Sequence, residues 1–479
     1  MNRKTKIVAT MGPATDQPGV LERLIAAGVD VFRINFSHGK TAEHAERIVQ
    51  AREIAGRLGR DVGILCDLQG PKIRIENFAD GAVELVEGRP FTLDTALGTA
   101  AGDVTMVGCA YQQLPQDVAA GDVLLLNDGA IALRVDTVDG SRVHCVVTQG
   151  GTLSGRKGIN KLGGGLSAPA LTDEDLANIR HAAEWNADFL AVSFPRTAAD
   201  ITRARELLQA AGGDAWIVAK IERAEALENL EDILRAADVA MVARGDLGVE
   251  IGEAELPGVQ KRIITLSREL NRAVITATQM MESMITQPIP TRAEVLDVAN
   301  AVIDGTDAVM LSAETAVGDY PTEAVEAMVR ICMGAEKHPS MHQSKHRIHE
   351  SMEHVDEAIA LSAMYAANHL DGVTSIICMS ETGATPLLMS RIKSSLPIFA
   401  FSRNHSTQHR VTMFRGVQTV PFDSATIPPE QTNSRAVAEL VRMGAVKEGD
   451  LVVITKGDYV NAQGGTNTMK IVRVGADIR

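Results

Sequence analysis

The chain has 479 residues, more than one ordinary domain holds, so two or three domains are expected. Hydrophobic residues make up 45% but aromatics only 3%, so the core must be built from Ala, Val, Leu, Ile and Met. With 61 Asp plus Glu against 47 Lys plus Arg, the formal charge of -14 argues against nucleic acid as the main ligand, while a local cationic pocket can still take a small anion.

Residues 6–69 read as strand–helix–strand–helix–strand, with strands at 6–11, 31–35 and 62–68 and helical patterns at 18–27 and 42–58. From about residue 70 to about 166 the pattern becomes short alternating β segments with Gly-rich turns, at 123–126, 130–136 and 143–147, and Asp139-Gly140 is a hairpin signal. Gly163-Gly164-Gly165 closes this stretch as a hinge. Thr172-Asp173-Glu174-Asp175 then opens a helix with a capping-box pattern. Strands follow near 189–192, 216–221, 239–242, 274–277 and 308–311, with helices between them. Three strands before the insert and five after make eight, which predicts an α/β chain: a (β/α)8 TIM barrel interrupted by a small β-barrel lid domain. From 337 a His-rich polar stretch leads into a further α/β unit with strands near 375–378, 398–401, 417–420, 451–455 and 469–474. The expected division is barrel at 1–69 and 167–340, lid at 70–166, and a C-terminal α/β effector domain at 341–479.

The five cysteines, Cys66, Cys109, Cys145, Cys332 and Cys378, form no CxxC pair, and an odd number suits reduced thiols in a cytoplasm. The basic start Met1-Asn2-Arg3-Lys4-Thr5-Lys6 is followed by an apolar run that stops at Gly12-Pro13, too short for a signal peptide. No apolar run is long enough to span a bilayer, so no membrane partner is expected.

The chemistry is written at strand ends. Ile217-Val218-Ala219-Lys220-Ile221-Glu222 and Met241-Val242-Ala243-Arg244-Gly245-Asp246 are buried-strand compositions that stop abruptly in charge. In a parallel barrel such tips open onto the site. Glu222 and Asp246 on successive strands suit a hard divalent cation such as Mg2+. Lys220 lies two residues before Glu222, so both side chains leave the strand on one face. A metal beside a lysine points to chemistry on an anionic substrate, either phosphoryl transfer or enolate stabilisation. One such tip would more simply be solvated charge; two in succession, with a Gly-Asp freeing backbone N–H groups for an anion, argue for a site.

Other tips carry similar signatures: Arg33-Ile34-Asn35-Phe36-Ser37-His38, Asp67-Leu68-Gln69-Gly70-Pro71-Lys72-Ile73-Arg74, Thr276-Ala277-Thr278-Gln279-Met280-Met281-Glu282 and Leu311-Ser312-Ala313-Glu314-Thr315-Ala316. Taken together, and over essentially the whole length, the chain resembles the pyruvate kinase family. The resemblance implies transfer of phosphate from phosphoenolpyruvate to ADP with Mg2+ (or Mn2+), in a homotetramer. It implies that Glu222 and Asp246 are metal ligands. Lys220 then faces the transferring phosphoryl group and the enolate oxygen. Gly245, Asp246 and Thr278 cradle the substrate carboxylate, and Thr278 delivers a proton to the enolate carbon. Arg33 binds the transferred phosphate, with Asn35, Ser37, His38 and Arg74 as further nucleotide and phosphate contacts. Arg156-Lys157-Gly158-Ile159-Asn160 matches the lid segment, with Lys157 reaching the phosphates of ADP or ATP.

Two departures from the family pattern matter. Leu68 and Lys72 stand where K+-requiring members carry Thr and Glu, and Gln69 and Ile75 also fit the branch that needs no K+; a tethered ammonium at Lys72 can replace a monovalent cation. In the C-terminal unit, Ser380, Thr382, Gly383, Ala384 and Thr385 match the family's effector-phosphate loop. The usual Trp-Arg-Pro clamp is absent, and Lys456-Gly457-Asp458-Tyr459 occupies that region, so a second phosphate lacks an evident cation. The expected allosteric effector is therefore a monophosphate, a sugar monophosphate or AMP. His338, His342 and His346 stand at helical spacing but in a polar, Pro-containing context that favours a solvated connector over a metal site. Rival readings are a metal-dependent aldolase or lyase acting on a pyruvate enolate, and a non-catalytic metabolite sensor. The first has no use for a lid lysine, and intact Lys220, Glu222, Asp246 and Thr278 argue against the second.

Overall fold

The computed structural model describes residues 3–99, 101–342, 351–458 and 465–476, so His346 and Tyr459 lie outside the described residues. Eight parallel strands close into a barrel: Lys6–Thr10, Val31–Asn35, Gly63–Asp67, Phe189–Val192, Trp216–Ile221, Val239–Ala243, Ala273–Ala277 and Ala308–Leu311. The last strand returns to the first, with Lys6 opposite Ala308. These strands read as nearly continuous apolar runs because both their faces are covered. Ile7, Phe32, Ile64 and Leu190 pack outward under the helices, while Val8, Val31, Leu65 and Met241 fill the lumen.

A recurring aspartate seals the floor of the barrel. Asp30, Asp188, Asp238 and Asp307 each directly precede a strand and accept the N–H of Ile7, Ile64, Ile217 and Val274 at 2.8–2.9 Å. Each carboxylate satisfies a backbone donor that barrel geometry leaves unpaired at the strand's start.

The insert contributes a six-stranded sheet and a separate two-stranded sheet, around a core that includes Phe91, Leu124, Leu133 and Val147. The hairpin at Asp139-Gly140 forms as expected, joining Ile131–Asp139 to Arg142–Gln149. The Thr172 capping box also forms, with the hydroxyl accepting from Asp175 N–H.

The C-terminal unit is a five-stranded sheet in the spatial order Val417–Pro421, Ile398–Ser402, Val373–Met379, Leu451–Gly457, Thr466–Arg473, with the last strand antiparallel. It docks on the barrel floor, away from the strand tips. His409 Nδ1 lies 3.1 Å from Asp188, and Arg391 clamps Asp307, both aspartates of the floor. The lumen core runs on into this unit through Ile376, Met413 and Phe414. All five cysteines are free and buried. No helix among the described residues is long and apolar enough to cross a membrane.

Candidate active site

At the open end of the barrel the fold gathers a chain of buried, mutually bonded charges. Arg33, the third residue of the second strand, donates from Nε to Asp67 Oδ2 at 2.7 Å and from Nη1 to Thr10 Oγ1 at 3.1 Å. Asp67 Oδ1 lies 3.2 Å from Lys220 Nζ, which lies 3.0 Å from Glu222 Oε1 and donates to Ser193 Oγ at 2.7 Å. Glu222 Oε2 accepts the Phe194 N–H at 3.0 Å. The alternation of the fifth strand puts Lys220 and Glu222 on one face, as their spacing requires.

Burial works against the Asp67 charge, yet Lys220 and Arg33 hold its carboxyl below the usual range. Burial likewise opposes the Lys220 charge, but Asp67 and Glu222 outweigh it and keep the ammonium above its ordinary value. Glu222 is different. Burial lifts it above the usual range in spite of Lys220, and the Asp246 and Asp67 charges add to the rise. A carboxylate so burdened gains most from a further cation.

Asp246 is in the first turn of the helix Arg244–Ile251, which begins directly at the tip of the sixth strand. The Gly245 N–H donates to Thr278 Oγ1 at 2.9 Å. The Thr278 hydroxyl in turn donates to Ala277 O at 2.6 Å. Thr278 has φ +67°, a left-handed conformation that a β-branched residue adopts only under constraint. The constraint is Arg244, which is buried and donates to the carbonyls of Ala277 and Thr278 while paired with Asp297 at 2.7 Å. Phe194 is also left-handed, at φ +55°, and this turns its N–H onto Glu222.

The remaining predicted residues divide into those the fold brings in and those it leaves at the edge. Lys72 reaches the mouth, but to Asp246 Oδ1 at 3.4 Å; among the described residues no hydrogen bond joins it to Asn35 or Ser37. Asn35 Oδ1 accepts the Ser37 N–H, and His38 is exposed with its carbonyl on His44 Nε2. Arg74 donates to Arg156 O at 3.0 Å, and the Ile75 N–H donates to Lys157 O, so the lid segment runs beside the third strand's extension. The Lys157 side chain makes no hydrogen bond among the described residues. The Gly163–Gly165 segment is bound to the barrel by Glu250, whose carboxylate accepts the Ala224 N–H and whose carbonyl accepts the Gly163 N–H. Burial lifts the Glu250 carboxyl to about 7.

Sequence reasoning gave no role to Asp67, Ser193 or Arg244. Asp67 had the same signal as Glu222, a charge ending a buried strand. Arg244 also follows a buried strand directly, but only its partners across the barrel give it a task, and Ser193 had no such signal.

The second cavity, of about 320 Å³, opens at the carboxyl ends of the C-terminal strands, where the sheet order reverses. Ser380, Thr382, Ala384 and Thr385 line it. Their polar groups are largely engaged: Ser380 Oγ accepts from Gly383 N–H, Thr382 Oγ1 from Ala384 N–H, and the buried Thr385 hydroxyl bonds Thr466 Oγ1 at 2.8 Å. By sequence a second phosphate has no evident cation here, although Lys456 lies in the segment that replaces the clamp. The folded cavity supplies Lys456 and Arg403, the latter paired with Glu381 at 3.2 Å and brought in from a neighbouring strand. Of the helically spaced histidines, His338 caps Ser340 N–H, and no cluster of three or more His, Cys, Asp or Glu able to hold a metal occurs among the described residues.

A closed parallel barrel whose mouth sets buried cations and carboxylates side by side belongs to the class of barrel enzymes that stabilise developing negative charge. Residues 2–325 match the family "Pyruvate kinase, barrel domain", and residues 357–472 match "Pyruvate kinase, alpha/beta domain". Pyruvate kinase II of Salmonella typhimurium is 58% identical over 475 residues, covering 98% of this chain and 99% of that one. A pyruvate kinase of Haemophilus influenzae is 56% identical over 97% of both chains. A crystal structure of a pyruvate kinase from Cryptosporidium parvum superposes with a TM-score of 0.91 at 35% identity, covering 98% of this chain and 96% of that one. The chain belongs to the pyruvate kinase family, and it is an enzyme of that family.

Proposed function

We propose that the protein transfers the phosphoryl group of phosphoenolpyruvate to ADP, giving pyruvate and ATP. The observation that carries this is the continuous buried chain Arg33–Asp67–Lys220–Glu222 facing Asp246 and Thr278 across the mouth. Two carboxylates suit Mg2+ or Mn2+, which keep several waters and take substrate phosphate as well. Glu222 and Asp246 are the residues that would hold the ion, and when bound it supplies Lewis-acid stabilisation of charge on phosphoryl and enolate oxygens.

The chain's own groups do the rest. Arg33, held through Nε on Asp67 and Nη1 on Thr10, offers its remaining guanidinium N–H groups to the phosphoryl oxygens. Lys220 supplies an ammonium to the bridging oxygen. As the P–O bond to phosphoenolpyruvate breaks and the ADP oxygen bonds phosphorus, the electron pair stays on that oxygen as an enolate. Lys220 stabilises this charge at no cost of reorganisation, because its position is already set by three partners. Thr278 holds a proton at its hydroxyl for the enolate carbon, relayed from solvent. The insert, with Lys157, excludes water that would otherwise hydrolyse the nucleotide. Residues 1–69 and 167–340 form the catalytic domain in this reading, 70–166 the lid and 341–479 the effector domain.

The finer points follow the same reading. The enzyme works without K+, since the Lys72 ammonium occupies the mouth beside Asp246. A monophosphate, such as a sugar monophosphate or AMP, binds at 380–385 and activates it. Residues Asn35, Ser37, His38 and Arg74 contact nucleotide, and the enzyme is a cytoplasmic homotetramer. A coupled assay for pyruvate from phosphoenolpyruvate and ADP tests the main reading; no pyruvate in the presence of Mg2+ overturns it. Equal activity in Na+, K+ and tetramethylammonium buffers tests the K+ reading, and strong activation by K+ overturns that one alone.

A further inference from the structure

The seam between the barrel floor and the C-terminal sheet holds a charged group that the catalytic reading does not use. Arg415 is pinned between the two units: its own N–H donates to Asp307 Oδ1 at 3.1 Å, and the next residue's N–H donates to Lys4 O at 2.9 Å. Its side chain is enclosed, with the residue 7% exposed. Nε and Nη2 are fully buried and have no hydrogen-bond partner among the described residues. Nη1 is not among the buried atoms without a partner.

The surrounding charge is mostly of the same sign. Lys4 and Arg268 approach from the barrel, Arg391 and Lys393 from the C-terminal unit. The two carboxylates nearby are already committed. Asp307 is gripped by both terminal nitrogens of Arg391, and Glu336 accepts the N–H groups of Lys4 and Thr5 and the Thr5 hydroxyl. Crowding of cations shows in their acidities. Burial, then the Arg415 charge, pulls Lys4 down to about 8, and burial with Arg391 and Arg415 pulls Arg268 to about 10. Burial holds the Arg415 guanidinium below its ordinary value although the Glu336 and Asp307 charges support it, and neither carboxylate hydrogen-bonds its side chain. A buried charge without hydrogen-bonded partners is costly. Water can satisfy its donors but does not cancel its charge.

We propose that this seam is an anion site: a small oxyanion, either inorganic phosphate or the phosphoryl group of a small metabolite, binds against Arg415 with Lys393 at the rim and the buried Lys4 ammonium, which donates to Ser394 O, behind it, and ties the C-terminal unit to the barrel floor. The site draws its cations from both units, so its occupancy stabilises their docking. It lies at the opposite end of the barrel from Lys220 and is separate from the cavity at 380–385.

Thermal unfolding of the full chain in chloride buffer, with and without inorganic phosphate at matched ionic strength, reads the site. Wild type should gain about 2 °C or more when phosphate is well above its Kd. Arg415→Met keeps most of the volume and removes the charge. It should lose that gain, and its midpoint without phosphate should equal or exceed that of wild type. Phosphate also meets the mouth and the C-terminal cavity, but those contributions are common to both proteins and cancel in the difference. Lys393→Met, at the half-buried rim, should lose part of the gain. A parallel series with a sugar monophosphate separates the sources: an Arg415-dependent gain with phosphate alone assigns a free anion, and one with both assigns the phosphoryl group. An equal response in wild type and Arg415→Met overturns the site. If Arg415→Met does not fold, Lys393→Met decides. The wild-type gain should shrink as pH rises through about 8, where Lys4 loses its proton. A Lys393→Met gain equal to that of wild type at every pH overturns the proposal.

Discussion

At the barrel mouth the charged groups are buried and bonded to one another, whereas in the C-terminal cavity Ser380 and Thr382 are half-buried hydroxyls bonded to their own loop. Both sites sit at carboxyl ends of parallel strands. Arg33, Asp67, Lys220 and Glu222 cannot relax singly, because each move strands a buried partner. Ser380 and Thr382 can exchange a neutral hydrogen bond to Gly383 or Ala384 for one to a ligand at small cost. The mouth is thus preorganised, as stabilisation of developing charge requires, and the loop is convertible, as a reversible effector requires. Substitutions at the mouth should therefore cost rate, and those at the loop should cost only coupling.

The largest effect is expected at Thr278. Thr278→Val should lower turnover by roughly 10^2–10^4, the range for a positioned proton donor, and slow hydrogen exchange at the methyl group of pyruvate. Thr278→Ser should restore much of both; unaffected exchange in the valine variant would assign protonation to another group. Lys220→Met should reduce turnover by about 10^2–10^3 with a much smaller change in KM. Near-normal turnover there would make the buried ion chain structural and erase the contrast with the loop.

Glu222→Gln and Asp246→Asn should raise the Mg2+ concentration for half-maximal activity at least as much as disturbing a ligand's own supports does, roughly 10–100-fold. An unchanged Mg2+ titration in both would remove the metal assignment. At the loop, Thr382→Ala should abolish the effector's shift of half-saturating phosphoenolpyruvate, typically about 5–150-fold, while the maximal rate stays near wild type. Thr385→Ala should instead lower stability through loss of the Thr466 bond. Potent activation by a bisphosphate with none by monophosphates would show that Arg403 and Lys456 complete a two-phosphate site.

The smallest effect concerns the Gly163–Gly165 segment. Glu250 is raised from 4.5 to about 7 by burial, so its contribution to stability is full below about 4.5 and is lost as pH rises through about 7. Glu250→Gln should flatten the pH dependence of the urea midpoint across that window. An unchanged slope would mean that Glu250 titrates normally and that this segment is indifferent to pH.

Much of this was legible before folding. Eight buried apolar runs imply eight covered strands, and Lys220-Ile221-Glu222 places two side chains on one face, because strand alternation is local. The Thr172 capping box was equally local, and it forms. What no local rule contains is which tip meets which. Asp67 becomes the link between Arg33 and Lys220 only when the second, third and fifth strands share one closed ring. Thr278 takes φ +67° because Arg244, from the neighbouring strand's tip, holds the carbonyls on either side of its peptide bond. Arg415 reads as an ordinary charge between Phe414 and Gly416, and only the docking of the C-terminal sheet on the barrel floor encloses its Nε and Nη2 without a hydrogen-bond partner among the described residues. The sequence by itself determined the elements and the chemistry at their ends, since both follow from neighbours in the chain. Tertiary structure alone decided the pairing and burial of charge, because those depend on groups brought together from hundreds of residues apart.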